Sequence, residues 1–340
     1  MVDKALAARL KSAREQAGLS LTDASSRLGI QNYQTLSKIE AGERALKAAE
    51  LSTFARVYYA SVNQLLGLEE TQPPATFLWR SEGKSEQRLE AEGRISRRCT
   101  HFVTLEKSLG LPQTTGFPGL VRGREGIRTD GDVDDIASKA GGLLNLGKRP
   151  ACALGKVLEQ EYGVKLLYLP LSDAGSAASI VHPEWGAVIA INSEEAPWRR
   201  AYDLGHELFH LLTWEAVMPE EKENSSLHED LEKKANRFAS TLLLPDSEIR
   251  SELRKLLAKS DSIPFSDLVN LAREFGVSTK ALLYRMANLR FLSWGQADEL
   301  AKNEELSSLD KRNRNGDWGE PPRSERFDFL AVQSLRKGFI

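Results

Sequence analysis

The chain has 340 residues, with 46 Lys and Arg against 48 Asp and Glu and 41% apolar side chains. That length suits about two domains and excludes one small module, and the composition excludes disorder throughout. No run approaches the roughly 18 apolar residues a membrane span needs, and the opening Met-Val-Asp-Lys-Ala-Leu lacks the basic-then-apolar pattern of a signal peptide, so a cytoplasmic protein with no membrane partner is expected. Only Cys99 and Cys152 occur. Neither a disulfide framework nor a thiolate metal site is available, and any metal must be held by His and carboxylates.

Residues 1–67 hold nine basic and six acidic side chains, a net +3, whereas residues 131–340 carry −6. The basic part is N-terminal, as suits a module near nucleic acid followed by one with another task. Leu6, Leu10, Ala13 and Ala17 recur at helical spacing. Short helices follow over 22–28, 32–41, 48–60 and 62–66, with Gly18, Gly29, Gly42 and Gly67 where helices stop. Residues 85–109 read as a charged helix, and the Gly/Pro-rich stretch 111–126 as a connector. Helices are expected at 132–145 and 150–162, then strands at 164–169 and 187–191 in a small sheet. Pro197 opens a helix running to Trp214, and further helices are expected at 228–243, 246–258, 265–275 and 278–289. The tail over 302–325 is polar and poorly patterned before a last apolar stretch.

Two of the five histidines lie in His206-Glu-Leu-Phe-His210. On a helix, positions i and i+4 share a face, so both imidazoles can converge on one Zn²⁺, while Glu207 sits one step round the helix and can reach a metal-bound water. Leu204, Leu208, Phe209, Leu211 and Leu212 make the remaining faces apolar, as in a buried active-site helix. A catalytic zinc needs a third protein ligand. Glu232 is a candidate 22 residues after His210, and His228, Glu229 and Asp230 compete with it. Asp203 can serve as an outer partner of His206 or face solvent, the solvent-facing role being favoured.

The segments 187–192 (AVIAIN), 199–212 (RRAYDLGHELFHLL) and 232–245 (EKKANRFASTLLLP) closely resemble the ImmA/IrrE family of zinc metallopeptidases. The resemblance extends to 136–140, 150–164 and 271–285, about half the chain. It implies Glu232 as the third zinc ligand. Where the family more often has Phe-Thr-Leu-Ala before the motif, this chain has Tyr202-Asp-Leu-Gly205. Residues 1–67 resemble a Cro/C1 (XRE) helix-turn-helix, carried by 10–14 (LKSAR), 18–30 (GLSLTDASSRLGI) and 36–44 (LSKIEAGER). That resemblance implies a third helix in the major groove of double-stranded DNA, with Gln31, Asn32, Gln34, Thr35 and Lys38 meeting bases or phosphates and Tyr33 beside them.

The expected fold is α+β and predominantly helical: a five-helix helix-turn-helix domain (1–67), a connector with a helical segment (68–130), a zincin-like metallopeptidase domain with a small β-sheet (131–290) and a helical, polar C-terminal extension (291–340). The expected chemistry is peptide hydrolysis, with zinc polarising the scissile carbonyl and acidifying water, and Glu207 as general base and then acid. The family precedent implies a regulatory protein as substrate, a repressor or antitoxin, in a stress response or a toxin–antitoxin unit, with a homodimer as one arrangement. The alternative is a DNA-binding transcription factor whose peptidase-like half senses a ligand or partner and cuts nothing.

Overall fold

The structure, a computed structural model, describes residues 3–17, 19–68, 75–79, 86–112, 120–121, 123–216, 225–258, 262–314 and 322–340. The described residues form sixteen α-helices and one four-stranded sheet, the predominantly helical α+β class expected. None of these helices is long and apolar enough to cross a membrane. The fold divides into two compact units, one of 1–77, 81–105 and 172–174, the other of 78–80, 106–171 and 175–340.

The first unit opens with five helices: α1 (Lys4–Gln16), α2 (Leu21–Arg27), α3 (Tyr33–Glu40), α4 (Ala48–Val57) and α5 (Val62–Leu66). Their starts are chemically marked, because the side chains of Asp3, Ser20, Asn32 and Ser61 accept from backbone N–H groups of the first turns of α1, α2, α3 and α5. Leu10, Leu36, Ile39, Phe54 and Leu65 form the centre of the core. One buried polar cluster crosses it. Arg14 Nε lies 2.9 and 3.0 Å from the two carboxylate oxygens of Glu40, Arg14 Nη1 donates to the Leu19 carbonyl at 2.8 Å, and the Tyr58 hydroxyl donates to Glu40 at 3.0 Å. The cluster fixes α1 to α3 and to the end of α4. Burial first, then the Glu40 charge, pushes the Tyr58 hydroxyl far above its ordinary range.

α6 (Glu86–Ser108) is the charged helix expected. Half of the connector expected over 111–126 falls outside the described residues.

In the second unit the sheet has the order β1-β3-β4-β2. β2 (Lys165–Leu169) and β4 (Gly186–Asn192) are the two strands anticipated, and they pair in parallel. β3 (Ala177–His182) and the two-residue β1 (Leu78–Trp79) were not anticipated. β3 is antiparallel to both β4 and β1, so the sheet is mixed. Small residues hide β3 in the sequence: Ala177, Ala178 and Ser179 carry little strand signal, yet all three are buried.

Eight helices complete the region up to residue 302: α7 (Asp130–Leu143), α8 (Pro150–Gln160), α9 (Pro197–Leu212), α10 (Ser225–Leu243), α11 (Asp246–Leu257), α12 (Phe265–Glu274), α13 (Thr279–Asn288) and α14 (Trp294–Lys302). α15 (Glu304–Arg314) occupies much of the stretch that seemed poorly patterned, anchored by buried Leu306, and 315–321 lie outside the described residues. α16 (Glu325–Arg336) ends the fold. It is held by polar groups as much as by apolar ones: Arg326 and Lys165 lie 2.9 and 3.0 Å from the fully buried Glu106 carboxylate, and the Ser324 hydroxyl donates to Glu159.

Burial pushes the Glu159 carboxyl above its ordinary value, and the Ser324 hydrogen bond offsets this only in part. The folded state therefore favours the protonated acid. Its contribution to stability is complete below the unfolded carboxyl range and declines as pH rises through the raised folded value. Glu159→Gln should remove that dependence: in denaturant titrations run between about pH 4 and pH 7, wild type should lose stability relative to the variant as pH rises, and a constant difference would show that the carboxyl is not perturbed.

Candidate metal centre and helix-turn-helix

The metal-binding candidates sit on two helices that pack closely. α9 starts at Pro197, whose missing N–H costs nothing at the first helical position, and every residue from Asp203 to Leu212 is buried. A helix buried on all sides is normally apolar throughout. Here Asp203, His206, Glu207 and His210 interrupt the apolar surface, so each needs compensation within the fold.

α10 supplies much of it. His206 Nε2 lies 3.2 Å from one Glu232 oxygen, His210 Nε2 lies 3.2 Å from the other, and the two Nε2 atoms are 3.3 Å apart. Donor atoms around a tetrahedral zinc, each about 2.0–2.1 Å from the ion, stand about 3.3–3.4 Å from one another. The donor set therefore fits zinc in both chemistry and spacing. Among the described residues His206, His210 and Glu232 form the one group of three or more such donors able to hold a metal. Burial pushes the Glu232 carboxyl up, but hydrogen bonds from His206 and His210 and their charge outweigh it and hold the group well below the ordinary carboxylate range.

The rival carboxylates point elsewhere. Glu229 is exposed and pairs with Lys233, and Asp230 is exposed and pairs with Lys234. Neither these two nor half-buried His228 belongs to the donor group. Asp203 departs from the expectation that it faces solvent: it is fully buried, with its carboxylate 3.2 Å from Arg199 Nε.

Two residues that the sequence did not single out complete the centre. Asn236 Oδ1 lies 3.3 Å from His206 Nδ1, placed to accept from Nδ1–H in the tautomer whose Nε2 lone pair would bind a metal. The Asn236 amide nitrogen donates to the Glu232 carbonyl at 2.8 Å, and the Tyr202 hydroxyl donates to the Asn236 carbonyl at 2.8 Å. Ser179 on β3 donates its hydroxyl to Glu207 Oε2 at 2.6 Å, with both residues fully buried. Helical spacing alone announces Asn236, four residues after Glu232. Ser179 lies in a strand with no sequence signal.

The unusual Tyr202–Gly205 segment is thus built into the centre. Tyr202 braces Asn236, Asp203 holds Arg199, and at Gly205 an added Cβ would meet the Ala239 Cβ and the Leu243 side chain at 3.4 Å, so the packing of the two helices has room for an alanine there.

In the first unit, Gly29, with φ +71°, turns the chain between α2 and α3. α3 is two-sided: Leu36, Ile39 and Glu40 are buried, whereas Gln31, Asn32, Tyr33, Gln34 and Lys38 are exposed and Thr35 is half-buried. The Asn32 side-chain oxygen accepts from the Gln34 N–H at 2.8 Å. That atom is committed to capping α3.

Comparison with known families agrees with both halves of the resemblance. Residues 159–287 match the family model described as IrrE N-terminal-like domain, peptidase family M78, and residues 5–66 match a helix-turn-helix domain model. A comparison with curated proteins finds no match. The chain thus joins a helix-turn-helix domain to a peptidase-like domain of the IrrE N-terminal kind.

The Asn236 contact yields a test. Loss of an outer partner of a metal-binding His typically costs 10- to 100-fold in metal affinity. Asn236→Ala should weaken zinc binding by about that factor in a competition titration against a chromophoric chelator, and unchanged affinity would remove Asn236 from the centre.

Proposed function

We propose that the chain is a transcriptional regulator that couples operator binding to zinc-dependent hydrolysis of a peptide bond in a regulatory protein, a repressor or antitoxin. The observation that carries the reading is the convergence of His206, His210 and Glu232 within 3.3 Å of one another, with Glu207 beside them on the same buried helix. Residues 131–290 form the peptidase and residues 1–67 read DNA, with 68–130 joining them and 291–340 as an extension. The protein works in the cytoplasm, and a homodimer would match a two-fold operator.

His206, His210 and Glu232 would hold the metal. When bound, zinc supplies Lewis acidity that polarises a carbonyl and acidifies water. The remaining steps belong to the chain. Glu207 lies about 100° round the helix from His206 and is the proton carrier, accepting from the attacking water and delivering to the departing amine. The Ser179 hydroxyl on Oε2 fixes the carboxylate's orientation. Asn236 holds the His206 ring in the tautomer that leaves Nε2 a lone pair. In the DNA-reading half, exposed Gln34 and Lys38 on α3, with Thr35 behind them, offer the amide, ammonium and hydroxyl groups that meet base edges and phosphates.

Metal and catalysis are separable by mutation. His206→Ala should lose zinc by elemental analysis, whereas Glu207→Gln should retain about one zinc per chain and lose cleavage by 10²- to 10⁴-fold, the usual worth of a general base. The products of neighbouring genes are the first substrates to incubate with the protein. A Glu207→Gln strain with wild-type promoter output and the same set of protein fragments would instead favour a regulator that senses through its peptidase-like half.

DNA reading is tested in the other domain. Gln34→Ala combined with Thr35→Ala should abolish the preference for an operator in a gel-shift competition, with zinc content unchanged. Operator affinity equal to that of wild type would show that α3 is not the reader.

A further inference from the structure

α16 turns one face to the fold and the other to solvent. On the inner face Leu330 and Ser334 are buried and Arg326 reaches Glu106. The outer face is apolar at its middle: Phe329, Val332 and Leu335 are 60%, 47% and 65% exposed. At about 100° per residue these three fall within roughly 120° of the helix circumference, opposite Leu330, so they form one stripe. Just past the helix, Phe339 and Ile340 are exposed as well. Contiguous apolar surface of this kind marks a place where another molecule docks.

The charges on the same face are ordered along it. Asp328 lies near the start of α16 and Arg336 in its last turn. Helical rotation puts both inside the sector occupied by the stripe, and among the described residues neither is in an ion pair. From its N-terminal to its C-terminal end the outer face therefore reads acidic, apolar, basic.

Such a face is its own complement. When two copies of α16 lie antiparallel about a two-fold axis at Val332, residues equidistant from Val332 meet across the axis. Val332 then faces its own counterpart, Phe329 faces Leu335 of the second copy, and Asp328 faces Arg336 of the second copy, which is what an isologous contact requires. A parallel arrangement would set like charges together, and an unrelated partner would not need the face to be self-complementary. Size points the same way. Five apolar side chains of roughly 150–200 Å² each, about half to two-thirds exposed, would withdraw on the order of 500 Å² per copy and about 1,000 Å² for the pair, the size at which specific interfaces begin.

We propose that the outer face of α16 is the interface of a homodimer, two helices packed antiparallel across a two-fold axis at Val332. This specifies the homodimer of the proposed function and rests on that reading only for its purpose, the engagement of two half-sites. The observations that support it are confined to α16.

Sedimentation velocity of the full-length chain without DNA tests it. Wild type should be a dimer in the micromolar range. Val332→Glu sets two carboxylates together at the axis and should weaken the dimer on the order of 100-fold, with circular dichroism and zinc content unchanged because the position is exposed. Asp328→Arg and Arg336→Asp each replace two attractions by two repulsions, and each should weaken the dimer on the order of tenfold. An equimolar mixture of those two variants should associate as wild type does, since every charged contact across the axis is then attractive again. A dimer unaffected by Val332→Glu would put the interface elsewhere and overturn the assignment while leaving the homodimer reading intact. A monomeric wild type would overturn both, and a mixture that fails to associate would overturn the antiparallel pairing.

Discussion

Ten consecutive residues of α9 are withdrawn from water, and four of them carry ionisable side chains. That conflict is the constraint to which the surrounding structure answers. An unsatisfied buried polar group costs kilocalories, so each of the four has a partner on a neighbouring turn or element: Asp203 has Arg199, Glu207 has Ser179, and His206 and His210 share Glu232. β3 has to run beside α9 to present Ser179, and α10 has to pack closely enough to present Glu232 and Asn236. Chemistry and packing are inseparable here. The groups that would bind and use a metal are also the ones whose burial dictates how helix and sheet meet.

The first unit resolves a smaller version of the same problem. Glu40 lies on the buried face of α3 and draws in Arg14 from α1 and Tyr58 beyond α4. Such an ion pair adds little net stability over an apolar replacement, yet loss of one partner strands the other charge. Its value lies in orientation: with Leu36 and Ile39 it fixes which face of α3 looks outward, and so which of Gln34, Thr35 and Lys38 are available for recognition.

Much of this was legible in the sequence because the informative patterns are local. Four of the five N-terminal helices start at a side chain that caps them, and the pair of histidines at i, i+4 needs only the helical period to become a half-formed site. Glu232 was legible as one carboxylate among several, and only the packing of α10 on α9 separates it from Glu229 and Asp230. What escaped has a common cause. β3 is built from small residues whose strand conformation is set by pairing with β4 rather than by intrinsic preference, so Ser179 could not be linked to Glu207, 28 residues later. Asp203 looked like a surface carboxylate because its partner, one turn back, is equally charged and unremarkable in sequence. α15 has a polar sequence, and buried Leu306 is its anchor in the core.

The division of labour along α10 has a consequence for how this chain can vary. Glu232 and Asn236 face α9, Arg237 and Thr241 bond to Asp134 of α7, and consecutive positions are separated by about 100° of helical rotation. A single residue inserted or deleted between 236 and 237 would turn one set by that angle while leaving the other in place, so the metal-facing and α7-facing halves could not both stay in register. Substitutions can drift along this helix, but its length between residues 232 and 241 is held by two neighbours at once.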